Sequence, residues 1–212
     1  MKETKNTAEI IFILDRSGSM GGLESDTIGG YNSMLKKQDK TQSIFVTTVL
    51  FDDRVETLYD NVPLDKVDEM TEKQYFVRGC TALLDAVGST VESVGKRHKN
   101  GIRPDKTLVV ITTDGMENAS IKYDYKKVKK LIEKKKEKHN WEFLFLGANI
   151  DAAAEAGRMG ISADKAVKYK CDRKGTALNY RALAKAVCTF TQKDCMAVPE
   201  DWKEEIESYC TE

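Results

Sequence analysis

The chain lacks a surplus of charge, a long apolar run and a paired cysteine framework. Its 34 basic and 34 acidic residues balance, so no global field favours nucleic acid or an anionic membrane as partner. Near the amino end the run Ile10-Ile11-Phe12-Ile13-Leu14 stops at Asp15 after five residues. That is too short for a signal segment or a membrane span, and a soluble, cytoplasmic protein is expected. The five cysteines, Cys80, Cys171, Cys188, Cys195 and Cys210, are odd in number and include no Cys-x-x-Cys pair. Zinc and thiol-exchange frameworks are therefore not expected, and reduced thiols are. The two histidines, His98 and His139, lie among lysines at predicted helix ends, where solvation or interaction with the helix dipole is expected rather than catalysis. No linker, low-complexity tract or solenoid repeat interrupts the 212 residues, a length that can bury a full core.

What is present is an alternation of apolar strand-like runs with helical patterns. It predicts an α/β fold with a mostly parallel sheet covered by helices on both faces. Strands are predicted at 9–14, 43–51, 54–59, 106–112, 141–147 and 165–170, and helices at 24–39, 81–98, 123–138, 151–158 and 176–191. Asp52-Asp53 falls between two of these strands, so a hairpin there gives one antiparallel edge strand. Residues 1–192 are expected to form the main domain and 193–212 an extension. In that extension Trp202, Ile206 and Tyr209 recur at helical spacing after Pro199, which predicts a short docked helix.

The chemistry concentrates in three segments. Asp15-Arg16-Ser17-Gly18-Ser19 follows the first strand, Gly79-Cys80-Thr81-Ala82-Leu83 opens a helix, and Thr113-Asp114-Gly115 ends the run Thr107-Leu108-Val109-Val110-Ile111-Thr112. Ligands of open parallel sheets bind beyond the carboxyl ends of the strands. Carboxylates and hydroxyls delivered there are oxygen ligands of the kind hard cations take.

In these segments the sequence resembles the von Willebrand factor A (vWA) domain with its metal-ion-dependent adhesion site, and in Phe143–Asp151 its stand-alone intracellular bacterial and phage members. The resemblance covers residues 8 to about 192 and implies a three-layer Rossmann-like fold. It implies a divalent cation, magnesium or manganese, with Asp15, Ser17, Ser19, Thr81 and Asp114 as the metal site. Ser17, Ser19 and Thr81 would bind directly, and Asp15 and Asp114 largely through water. It implies a protein partner whose exposed Glu or Asp completes the coordination, while the balanced charge and short apolar run lead us to expect no nucleic acid and no membrane as partner. Met20-Gly21-Gly22-Leu23 follows the serines, so the family's second, adjacent metal site is not expected.

Other features carry less. Cys80 is expected to be a small buried residue. Thr176 in Gly175-Thr176-Ala177-Leu178 is expected to cap a helix. Lys122 to Lys138 holds nine lysines around Val128, Leu131 and Ile132, the pattern of an amphipathic helix with a solvated basic face. The competing functional class is a Mg-dependent hydrolase of the sheet-edge aspartate type. Such phosphatases use Asp-x-Asp, whereas Ser17 occupies the position of the acid. No Gly-x-Ser-x-Gly elbow or phosphate-cradling lysine loop is present either, so a binding module rather than an enzyme is expected.

Overall fold

The computed structural model describes residues 7–101, 103–195 and 197–211. Six strands, β1 Thr7–Asp15, β2 Ser43–Phe51, β3 Val55–Pro63, β4 Lys106–Thr113, β5 Trp141–Ala148 and β6 Ala166–Tyr169, form one sheet in the order β3-β2-β1-β4-β5-β6. All neighbours are parallel except β2 and β3. β1 therefore sits centrally, with its side chains shared between two cores. Ile10, Phe12 and Leu14 face one core, and Ile11 and Ile13 face the other, as a period of two requires.

The first core is covered by α1 Glu24–Lys36 and α5 Arg173–Thr191, with Tyr31, Met34, Leu183, Val187 and Phe190 turned inward. The second is covered by α2 Leu83–Lys99, α3 Tyr125–His139 and α4 Ala152–Arg158. In α2 the buried residues Leu83, Val87, Val91 and Val94 keep three- and four-residue spacing, so one stripe meets the sheet. Aspartates start three of the helices. Asp124, Asp151 and Asp172 accept hydrogen bonds from the amides of Lys127, Ala154 and Gly175, satisfying donors that a helix start leaves unpaired.

Thr176 is therefore not the cap. It lies in the first turns of α5, buried, and Asp172 holds the capping position. β3 runs farther than the predicted 54–59, and the antiparallel pairing survives a register irregularity near Asn61, whose φ is 55°. α1 ends before the predicted 39.

After α5 a 3-10 turn over Glu200–Lys203 leads into α6 Glu204–Thr211. Trp202 and Ile206 join the first core, and Trp202 Nε1 donates to the Asp164 carbonyl at 3.0 Å. The outward carbonyls of β6 are met by side chains of this segment. Lys203 Nζ donates to Ala166 O at 3.0 Å, and Cys210 Sγ to Lys168 O at 3.2 Å.

β1 connects through α1 to β2 on one side, while β4 continues through α3 to β5 on the other. The order reverses between β1 and β4, which opens a crevice at their carboxyl ends. Asp15 closes β1 and Asp114 follows β4 at that crevice.

Candidate metal centre

Asp15 is buried and fully engaged. Its Oδ1 accepts from the Ser17 amide at 2.7 Å and its Oδ2 from Thr113 Oγ1 at 2.6 Å. Its carbonyl accepts from the buried Tyr75 hydroxyl at 2.5 Å. The chain then turns so that Ser17 Oγ and Ser19 Oγ stand 3.2 Å apart. Thr81 Oγ1 reaches Ser17 Oγ at 3.0 Å, and Ser19 Oγ donates to Asp114 Oδ1 at 2.5 Å. All five residues expected from the sequence thus converge on one site, Ser17, Ser19, Thr81 and Asp114 linked through their side-chain oxygens and Asp15 through the Ser17 amide.

Two glycines make this approach possible. A Cβ on Gly115 would lie 3.2 Å from both Ser19 Oγ and Thr81 Oγ1, filling the space between the hydroxyls. Gly79 has φ of 65°, and a Cβ there would meet Asp53 Oδ1 at 2.5 Å, so only glycine fits without strain. Its carbonyl accepts from the Gly18 amide at 3.2 Å, pinning the Thr81 loop to the serine loop.

The segment after Asp114 clasps Thr81 and the start of α2. The Thr81 amide donates to Asn118 Oδ1 at 2.9 Å, and the Asn118 amide returns a bond to the Thr81 carbonyl at 3.0 Å. Glu117 accepts from the Leu84 amide at 2.8 Å, from the Ala119 and Ser120 amides and from the Ser120 hydroxyl. Asp85 in turn accepts from the amides of Ile121, Lys122 and Tyr123. The clasp was not legible in the sequence, because Asn118 and Glu117 act on partners more than 30 positions away.

Between Asp15 and Ser17, Arg16 turns away from the oxygens. It is fully buried, bonded to Asp52 Oδ2 at 2.9 Å, to Glu56 Oε2 at 2.6 Å and to the Gln74 carbonyl at 3.0 Å. Arg78 also binds Asp52 Oδ2, at 2.7 Å. Asp52, read from the sequence as a turn residue, is thus a buried anchor for two guanidiniums, and burial is outweighed by those bonds so that its carboxyl stays below the usual range. Among the described residues no such cation pairs with the carboxylates of the site proper. Burial pushes Asp15 up to about 6 despite its bonds to Thr113 and Ser17, and Asp114 adds to the rise. Burial also raises Asp114.

The donor set therefore fits a hard divalent cation. Two buried carboxylates have no compensating positive charge among the described residues, and three neutral hydroxyls adjoin them, with the space between Ser19 and Thr81 kept open by Gly115. Among the described residues no group of three His, Cys, Asp or Glu side chains is placed to hold a metal, and the hydroxyl and carboxylate oxygens gathered here are of the kind hard cations take.

Nearby residues depart from expectation. Cys80 is exposed, not buried, because the glycine turn lifts it out of the loop. Cys171 approaches Asp114 Oδ2 at 3.6 Å, and burial together with Asp114 raises its thiol to about 11. Asn149 and Asp151, without a role from sequence, are a left-handed turn residue and the α4 cap. His98 is not solvated. It is buried at the other end of the sheet, 2.7 Å from Glu9 Oε2, and its ring lies edge-on to Trp141.

The family model for "VWA domain containing CoxE-like protein" matches residues 2–140, well over half of the chain. The chain belongs to this vWA family. No curated protein is significantly similar to it in sequence. Among solved structures it is similar to proximal thread matrix protein 1 from the mussel byssus, with 16% identity and TM-score 0.60, covering 87% of this chain and 46% of that one. That structure has a zinc-occupied MIDAS motif. It is also similar to the ArnB paralog VWA2 from Sulfolobus acidocaldarius, with 19% identity and TM-score 0.54, over 84% of this chain and 44% of that one. A third is the vWF domain of a type V pili tip protein from Porphyromonas gingivalis, with 9% identity and TM-score 0.63, covering 89% and 97%. This vWA chain spans about half the length of the first two. At these identities the likeness concerns the fold. No helix among the described residues is long and apolar enough to cross a membrane.

Proposed function

We propose that the chain is a cation-dependent protein-interaction module. Ser17, Ser19 and Thr81 would hold magnesium or manganese directly, and Asp15 and Asp114 would orient its bound waters. Such an ion, when bound, would offer a coordination position to a carboxylate from outside. The observation that carries this reading is the neutrality of the three converging hydroxyls in front of two buried carboxylates. Thr113 and the Ser17 amide hold both Asp15 oxygens, so this carboxylate would act on a bound ion through water. A partner's Glu or Asp supplies the matching charge. vWA domains are mostly such modules, and no turnover is expected.

Calorimetric titration should show one Mg²⁺ or Mn²⁺ site that Asp15→Ala and Asp114→Ala abolish. Unchanged binding in both variants would remove the assignment. Capture of a partner from native lysate should depend on Mg²⁺, vanish in EDTA and fall at least tenfold for Thr81→Ala. Phosphatase panels with Mg²⁺ should stay at background, and turnover lost in Asp15→Asn would favour a hydrolase instead.

A further inference from the structure

The exposed large hydrophobic residues among those described are Val55 at 39%, Phe76 at 41%, Met116 at 69% and Ile121 at 92%. Phe76 and Met116 stand at the carboxyl edge of the sheet that carries the candidate metal centre, and Val55 and Ile121 line a groove beside it between β3 and α2. Val55 opens β3 opposite the end of β2. Phe76 lies next to Tyr75, whose hydroxyl binds the Asp15 carbonyl. Met116 follows Gly115, whose Cβ position touches Ser19 and Thr81. Ile121 donates its amide to Asp85 near the start of α2. Elsewhere on the described surface large apolar side chains are at least partly buried.

These residues sit on firmly held backbone. Phe76 lies over the Arg16 and Arg78 guanidiniums, 5.2 Å from each, and Arg16 is itself fixed by Asp52 and Glu56. Met116 is bracketed by Asp114 and by Glu117, which is tied to α2. Apolar groups held outward in one zone mark an interaction surface, and burial of such groups in an interface core is what gives it strength.

From this arrangement we infer that the metal-directed acidic residue of the partner is flanked by apolar residues that bury Met116, Phe76 and Ile121. The inference rests on the reading of the metal site given above. Charge selects the occupant. A cation behind neutral ligands asks for a carboxylate, and an apolar rim around it asks for hydrophobic neighbours on the same segment. In an extended segment alternate side chains share a face about 7 Å apart, so the apolar residues fall within two positions of the acid.

The probe is a library of displayed random twelve-residue peptides, selected on the full chain in Mg²⁺ and in EDTA. The expected result is Mg²⁺-dependent enrichment of peptides in which Asp or Glu has Leu, Ile, Phe, Met or Trp within two positions. Met116→Ser and Ile121→Ser should each lower the affinity of an enriched peptide about tenfold while leaving the calorimetric Mg²⁺ affinity unchanged. Phe76→Ser gives a third arm on the other side of the site. Enrichment of acidic peptides without apolar neighbours overturns the inference and keeps the metal reading. Absence of any EDTA-sensitive enrichment also overturns the inference, and only absence of calorimetric Mg²⁺ binding overturns the metal reading itself. A dimer dispersed by Ile121→Ser, or sedimentation with phosphatidylcholine vesicles, would assign the rim to a second copy or to lipid and likewise overturn the inference.

Discussion

Glu9 and Asp15 stand toward opposite ends of the same buried strand and respond to protons in opposite directions. Burial alone would raise Glu9, but hydrogen bonds from His98, Arg97 and Thr47 outweigh it and hold the carboxyl at about 2, against 4.5 for an exposed glutamate. The folded state thus prefers the ionised form. Its stabilisation, on the order of 3 kcal/mol, is complete above about 4.5 and is lost as pH falls toward about 2. Glu9→Gln removes the negative charge and one of the two acceptor oxygens that Arg97 and the buried His98 share, and urea unfolding at pH 7 should show a loss of about 3 kcal/mol. That difference should shrink by pH 2.5, and a constant difference would refute the pairing. Asp15, raised from 3.8 to about 6, behaves the other way. In the metal-free chain its contribution is present below pH 3.8 and lost as pH rises through 6, again by about 3 kcal/mol. Thermal unfolding in EDTA should therefore weaken between pH 4 and 6.5. Asp15→Asn should flatten that slope, and saturating Mg²⁺ should restore stability at pH 7, by about 2.7 kcal/mol at a hundredfold excess over its dissociation constant.

At the scale of elements, the start of α2 is where stability and site geometry meet. Its cap is not local: Ala82 makes no side-chain capping bond, and Glu117 from the β4–α3 connection takes the Leu84 amide. Glu117→Ala should cost about 1–2 kcal/mol in chemical denaturation. It should also weaken Mg²⁺ binding severalfold, although Glu117 donates nothing to the ion, and unchanged Mg²⁺ affinity would show the clasp to be purely structural. Gly79→Ala should cost more than 1 kcal/mol, since φ of 65° and the contact with Asp53 both oppose a methyl group. The elements themselves were largely legible. The runs Ile10–Leu14 and Thr107–Thr112 became central strands, the Asp52-Asp53 hairpin gave the antiparallel edge, and the five-residue oxygen cluster assembled. Long-range polar partnerships were not. Nothing beside His98 announces Glu9, nothing beside Arg16 announces Asp52, and Cys80 reads as buried until the left-handed glycine before it is placed. Periodicity reports which face is apolar, whereas a buried ion pair depends on where two distant backbones cross.

For the whole molecule, the two sheet borders are finished by different means. On one side the strand with Asn61 in a left-handed turn and Pro63 at its end interrupts regular pairing, devices that blunt an edge. On the other, Lys203 and Cys210 occupy the β6 carbonyls that a further strand would use. Trp202→Ala should loosen that cover and lower stability by about 3–5 kcal/mol in urea titration, with the loss confined to unfolding free energy and absent from Mg²⁺ affinity. The C-terminal segment thus covers the free bonding edge of β6. A chain whose Lys203 and Cys210 no longer reach β6 would carry a template for its own copies, and light scattering of Lys203→Ala/Cys210→Ala should grow with concentration where the parent's does not. Solubility in this vWA chain would then depend on two side chains that contribute nothing to its metal site.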